Sequence, residues 1–74
     1  MKSRQSKDHP LFSKNEIATM RLICKQYTNQ EIAENMEKSV RTIDGYRECI
    51  LEKTKAKNTA GIVVYSIKHG IYKL

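Results

Sequence analysis

The chain is 74 residues long and carries 14 Lys and Arg against 8 Asp and Glu, a formal net charge of +6. A domain of this length buries only about 60% of the surface that its unfolded chain exposes, which argues against an enclosed catalytic cleft. No apolar run reaches the length of a membrane span, and the first ten residues lack the apolar core of a secretory signal. We therefore expect a small soluble protein of the cytoplasm or nucleus whose basic surplus favours nucleic acid or an acidic partner.

The first segment is basic and polar. Residues 1–10 carry Lys2, Arg4 and Lys7 and end at Pro10. They are predicted to form a flexible basic tail or linker, and residues 11–74 are predicted to form one domain.

Helix-start signals recur after this segment. Ser13 and Glu16 have the spacing of a capping box, in which each side chain bonds the backbone of the other residue, and they predict a helix over about 14–26. Thr28 and Glu31 repeat the pattern and predict a second, short helix. The predicted inner face of the second helix consists of Ile32, Ala33 and Met36.

Two further helices follow. Ser39 is a candidate N-cap for a third helix, whose apolar positions recur every three or four residues as far as about Lys53. Asn58 or Thr59 is expected to cap a fourth helix, and Gly70 to end it as a C′ glycine. Because no segment has the alternation of a strand, the predicted fold is an all-α, four-helix bundle-like domain.

The second and third helices are joined by about three residues, which is the arrangement of a helix-turn-helix. In that motif the second helix of the pair presents its outer face to the major groove of DNA. A small residue is required where the two helices pass closely, and Ala33 occupies the expected place.

At this point the sequence resembles the LuxR/GerE-type helix-turn-helix, the output domain of many bacterial response regulators. The resemblance covers about residues 11–72 and implies a four-helix DNA-binding domain that acts as a dimer on paired half-sites. It also implies control by an N-terminal regulatory domain, which these residues do not encode. The motifs that carry the resemblance are Phe12–Glu16, Asn29-x-Glu31-Ile32-Ala33, Ser39-x-x-Thr42-Ile43, Ile50-x-x-Lys53 and Gly70-Ile71.

The sequence departs from the family pattern at several positions. Lys38 stands where the family usually buries Ile or Val, and Asp44 where Lys is common. Tyr46 replaces a frequent His, and Thr54-Lys55 replaces a frequent Leu-Gly.

The outer face of the predicted recognition helix, about residues 40–53, supplies the candidates for base contact: Asp44, Gly45, Arg47 and Glu48. An arginine can bond the O6 and N7 atoms of guanine, and a carboxylate can accept from the N4 amine of cytosine. Alternatively these are ordinary surface charges, and Arg41 and Asp44 have the spacing to pair with each other.

Two further surfaces are predicted. Helix N-termini and neighbouring lysines are expected to hold phosphates, and the alternative for the lysines is a cluster that serves solubility alone. Val64, Tyr65 and Lys68 are predicted to point outward from the fourth helix and to form the dimer interface that the resemblance implies. The phosphate-contact candidates are Thr28, Asn29, Gln30, Ser39, Arg41, Thr42, Lys53, Lys55, Lys57, Asn58 and Thr59.

No enzyme, cofactor, metal site or small-molecule ligand is predicted. His9 and His69 have no paired nucleophile or metal-ligand spacing nearby, and Cys24 and Cys49 are expected to be plain buried thiols. The rival to sequence-specific DNA binding is a sigma-factor-like module that docks on RNA polymerase or another regulator. The acidic residues on the predicted reading face favour that rival slightly.

Overall fold

A computed structural model describes residues 11–74, so the predicted tail over residues 1–10 lies outside the described residues. The described part of the chain contains no strand and four α-helices. The prediction of an all-α domain is confirmed. The helices are α1 (Lys14–Cys24), α2 (Asn29–Met36), α3 (Val40–Thr54) and α4 (Thr59–Lys68).

Each helix begins at the cap that the sequence predicts. Ser13 and Thr28 form complete capping boxes with Glu16 and Glu31. The Ser39 hydroxyl accepts a hydrogen bond from the backbone N–H of Thr42. Of the two candidates for the fourth cap, Asn58 is the one used, and Thr59 is the first residue of α4.

A residue in the left-handed conformation follows each of the four helices within two positions. These residues are Gln26, Glu37, Lys55 and Gly70. After each of them the next backbone N–H bonds back to a carbonyl in the last turn, at 2.8–3.2 Å. This closure satisfies carbonyls that the helix itself leaves free. The predicted end of the first helix, at residue 26, is therefore two residues too late, because Gln26 turns the chain toward the next cap.

The hydrophobic core lies between α1 and α3, which contact each other and both remaining helices, whereas α2 and α4 do not touch. The close approach of α4 to the preceding loop requires Gly61, where an added Cβ would lie 2.7 Å from the Cβ of Ala56. The helices α1, α2 and α4 all pack against α3, and the remaining side of α3 is open. The buried core residues are Phe12, Met20, Ile23, Ile32, Ala33, Ile43, Ile50, Ile62 and Ile71.

Only one of the two cysteines approaches the expected burial. Cys24 is half-buried, and both burial and the hydrogen bond with Ser66 act on its thiol, with the net effect that the pKa is raised. Cys49 is exposed, so the prediction that it is buried is wrong. Its position in α3 falls outside the stripe formed by Ile43 and Ile50 that enters the core.

Candidate nucleic-acid interface

The helix pair α2–α3 is held by a tight turn. Glu37 adopts the left-handed conformation at φ 58°, and the N–H of Lys38 bonds the carbonyl of Ala33 at 2.8 Å. Ser39 then caps α3. Ala33 is buried, as expected for a small residue near a helix crossing. The turn therefore fixes where the first turn of α3 begins relative to α2.

One face of α3 is packed and the other is open. Ile43 and Ile50 are fully buried, and Tyr46 is half-buried with its hydroxyl accepting from Asn15 Nδ2 at 3.0 Å. The opposite face exposes residues of mixed charge around a glycine. This polar face belongs to a single helix, and the major groove of DNA is wide enough to admit one helix. The exposed residues on this face are Arg41, Asp44, Gly45, Glu48 and Glu52.

One interpretation of the sequence paired Asp44 with Arg41, but Asp44 has a different partner in the structure. Its Oδ1 atom accepts a hydrogen bond from Asn29 Nδ2 at 2.7 Å. Asn29 was expected to touch phosphate, but its amide is directed at α3. The first residue of α2 is thus tied to the open face of the next helix.

Arg47 lies less openly than predicted. Its side chain is half-buried on the flank of α3, and its guanidinium donates to the hydroxyl of Thr59, the first residue of α4. The prediction that Arg47 belongs to the open outer face needs correction, because α4 packs along this flank. The guanidinium is held at the boundary between the open face and α4.

The side-chain oxygens at the helix starts, where phosphate contacts are predicted, already have partners within the protein. Thr28 Oγ1 accepts from the N–H of Glu31, and Asn58 Oδ1 accepts from the N–H of Gly61, each at 3.1 Å. The Ser39 and Thr42 hydroxyls are hydrogen-bonded to each other at 2.9 Å, and either group can act as the donor. What these positions offer an anion is therefore backbone N–H groups of the first turn rather than side-chain hydroxyls.

The lysines near the end of α3 divide into two kinds. Lys55 and Lys57 are exposed, whereas the ammonium of Lys53 lies 2.8 Å from Glu16 Oε1 and 5.7 Å from the centre of the Phe12 ring. Burial acts to raise the pKa of the Glu16 carboxyl, but the bonds from Lys53 and Ser13 outweigh it and lower the pKa. Lys53 therefore serves the fold, and we leave it out of the proposed interface.

The predicted dimer residues of α4 do not all face outward. Val64 is 62% exposed, and Lys68 is exposed near it. Tyr65 was expected to point outward as well, but its ring packs edge-on against Phe12, with centroids 5.8 Å apart, and stacks on His69. Ile67 is 38% exposed, so the open apolar surface of α4 includes Val64 and Ile67 rather than Val64 and Tyr65.

Comparison with known proteins shows which family this helix-turn-helix domain belongs to. The family described as bacterial regulatory proteins, luxR family, matches residues 10–66, which include α1, α2, α3 and most of α4. The chain belongs to the luxR family. It is a LuxR-family helix-turn-helix domain, and the resemblance drawn from the motifs is confirmed.

Similar proteins carry regulatory names. The chain is 36% identical over 58 residues to the oxygen regulatory protein NreC of Staphylococcus carnosus, covering 78% of this chain and 27% of that protein. It is 32% identical over 76 residues to the probable transcriptional regulator ycf29 of Porphyra purpurea, covering 96% of this chain and 36% of that protein. The LuxR-type domain thus spans about a third or less of the length of these relatives. A search of the solved structures found no significant match to this chain.

Within the residues that the structure describes, no helix is long and apolar enough to cross a membrane. The same residues contain no group of His, Cys, Asp and Glu side chains placed to hold a metal ion. Sequence analysis did not predict the Asn29–Asp44 bond at the open face of α3 or the Lys53–Glu16 ion pair within the fold. Both join residues distant in the chain, so no local pattern signals them.

Proposed function

We propose that this LuxR-type domain reads a specific sequence of double-stranded DNA by placing α3 in the major groove. The open face of α3 supports the proposal: Asp44, Gly45 and Glu48 are exposed along one side, while Ile43 and Ile50 are fully buried on the other. A groove about 12 Å wide admits one helix with such a surface. The proposed base contacts are Asp44, Gly45 and Glu48, with Arg47 at the edge.

Phosphate contacts would fix the register of α3. The N-termini of α2 and α3 present backbone N–H groups through Asn29, Gln30 and the residues after Ser39, and a helix N-terminus favours an anion. Exposed Lys55 and Lys57 add charge beyond the C-terminal end of α3. Such contacts supply affinity and orientation without reading sequence.

The whole protein is proposed to be a cytoplasmic bacterial transcriptional regulator; the family description supports the bacterial assignment, and the names of the relatives support the regulatory role. Its LuxR-type domain would dimerise through α4 on two half-sites about 10 base pairs apart. Activation would be controlled by a regulatory domain outside the present chain. The exposed apolar pair Val64 and Ile67 supports α4 as the dimer contact.

Enrichment of random duplex DNA on the purified domain tests the central proposal. The expected result is a defined sequence motif, bound at least about tenfold more tightly than a scrambled duplex at the same salt concentration. Log affinity should fall with log salt concentration with a slope of about −0.9 for each phosphate contacted. Equal affinity for the enriched and scrambled duplexes would refute sequence-specific binding.

The dimer proposal is tested separately with a duplex that carries two enriched half-sites. We expect Val64→Asp to abolish the complex of two domains per duplex while preserving the complex of one. Asn35→Asp, which adds the same charge on the exposed surface of α2, serves as the control. Sedimentation of the complexes distinguishes the two stoichiometries, and an unchanged stoichiometry in Val64→Asp would exclude α4 as the contact.

The rival function remains a docking module for polymerase or another regulator. The specific observation in its favour is the pair of exposed carboxylates, Asp44 and Glu48, on the open face of α3. Changing both to the corresponding amides distinguishes the two functions. Loss of DNA selectivity favours base reading, whereas unchanged DNA binding with loss of binding to purified RNA polymerase favours docking.

A further inference from the structure

A single side-chain hydrogen bond connects the start of α2 to the open face of α3. Asn29 Nδ2 donates to Asp44 Oδ1 at 2.7 Å across a separation of 15 residues. The length is that of a strong hydrogen bond to a charged acceptor. Both groups are accessible to solvent, so the bond contributes little to the free energy of unfolding, and its role has to be sought elsewhere.

Both ends of this bond are rigidly placed. Asn29 directly follows the Thr28 cap, whose capping box fixes the backbone through bonds of 2.8 and 3.1 Å with Glu31. Asp44 directly follows Ile43, which is fully buried. The bond therefore joins two backbones that are already fixed, and it removes the remaining rotational freedom of the Asp44 carboxylate.

The orientation of this carboxylate has a chemical consequence in the groove. With Oδ1 held by Asn29, Oδ2 remains free to accept a hydrogen bond. The major-groove donors are the N4 amine of cytosine and the N6 amine of adenine, whereas guanine and thymine present acceptors at the corresponding positions. A fixed carboxylate therefore binds favourably to the amine of cytosine or adenine and is repelled by the acceptor atoms of guanine or thymine.

Without Asn29 the carboxylate has another partner available. Arg41 lies one turn earlier on α3, at the i−3 position, and is exposed. Opposite charges at that spacing attract each other on a helix surface. An Asp44 released from Asn29 would rotate toward Arg41, and its acceptor would no longer be aimed at a base.

We propose that Asn29 is a positioning residue that sets the base preference of α3 by holding the Asp44 carboxylate as an acceptor. The proposal rests on the proposed function, because it requires α3 to face base edges. It assigns the Asn29 side chain a part in sequence selection, beside the phosphate contact proposed for the backbone N–H of the same residue.

The test compares the enriched DNA motifs of the wild-type domain and a set of variants. Asn29→Ala and Asp44→Ala should each lose preference at the same base position, by about fivefold, the lower end of the discrimination expected for one base contact. Affinity for scrambled duplex should not fall in Asn29→Ala. In the double variant, the loss should equal that of Asp44→Ala alone, since Asn29 acts only through Asp44.

Two further variants sharpen the test. Lys57→Ala, which removes an exposed charge beyond the C-terminal end of α3, should weaken all duplexes equally, as expected for a phosphate contact. Asn29→Asp retains the size of the side chain and places a favourable negative charge at the helix start, but it replaces the donor with a repelling carboxylate. It should fold and should lose the same base preference as Asn29→Ala.

The outcomes are distinguishable. A wild-type domain that enriches no motif refutes the proposed function and this proposal with it. A wild-type motif that Asp44→Ala leaves unchanged refutes this proposal alone. A uniform loss of affinity in Asn29→Ala, or a change of preference that persists in the Asp44→Ala background, also overturns the positioning role.

Discussion

The glycine within α3 provides a sharp test of which side of that helix meets DNA. Gly45 is exposed, and a Cβ added to it would meet no heavy atom within 4 Å. Alanine is favoured over glycine in a helix interior by about 1 kcal/mol. We therefore expect Gly45→Ala to raise the free energy of unfolding by about 0.5–1 kcal/mol and Tm by roughly 2–8 °C.

The effect on DNA binding should have the opposite sign. In the proposed complex, Gly45 lies between Asp44 and Glu48 against the base edges. An extra methyl group forced into a close-packed contact costs about 1–3 kcal/mol. Affinity for the enriched duplex should therefore fall by about 5- to 150-fold, even though the protein itself becomes more stable.

Urea unfolding and fluorescence anisotropy with a labelled duplex measure the two effects on the same preparation. Asn35→Ala is the matched control, because it also improves helix propensity at an exposed position but lies on α2, outside the proposed interface. It should raise stability and leave affinity unchanged. A Gly45→Ala variant that gains stability and retains full affinity for the enriched duplex would show that this part of α3 does not face DNA.

The remaining predictions concern the fold around α3. Glu16→Gln should lower the free energy of unfolding by about 1–2 kcal/mol at pH 7, since Glu16 pairs with Lys53. Because the pKa of Glu16 is lowered in the folded state, this contribution is present above the pKa of the unfolded chain and disappears as pH falls through the folded value. Urea titrations of wild type and variant should therefore converge as the pH falls below the usual range of a carboxyl pKa; a difference in stability that stays constant with pH would refute the pairing. Lys55→Gly should stabilise the domain by about 0.5–1 kcal/mol in thermal unfolding, because Lys55 adopts φ 62°; destabilisation would contradict the strain at this position. Cys49 should react with maleimide well before Cys24, as peptide mass analysis can measure, since Cys49 is exposed and burial contributes to a raised pKa at Cys24; equal rates would contradict their placement.

The sequence predicted the helix starts well because the signals for them are local. A capping residue and its partner lie three residues apart, so the bonds at Ser13 and Thr28 follow from short patterns. Helix ends are a different matter. Of the four residues that follow the helices, Gly70 is the one whose type favours the left-handed conformation. Gln26, Glu37 and Lys55 adopt it although their residue types do not predict it. The backbone hydrogen bonds that close these helix ends form where tertiary packing requires the chain to turn.

The candidate site was predicted less completely than the fold, since side-chain partners depend on which helices meet. Helical spacing alone placed Asp44 on the open face correctly, but it suggested Arg41 as its partner, and the partner is Asn29 from another helix. Spacing also placed Arg47 and Tyr65 outward. Their actual positions follow from α4 at the flank of α3 and from Phe12 beneath α4.

The placement of acidic residues on the open face bears on how a protein of net charge +6 can remain selective. A wholly basic reading helix would be attracted by any phosphate backbone, which raises affinity for all sequences alike. Carboxylates at Asp44 and Glu48 oppose that general attraction, and in the proposed complex they recover energy only where a base amine faces them. A carboxylate released from Asn29 would turn toward Arg41 and lose its discrimination between bases, whereas one held by Asn29 accepts a hydrogen bond only where a base amine faces it. The neutral amide of Asn29 is suited to this role, because it fixes the carboxylate without cancelling the negative charge on which discrimination depends.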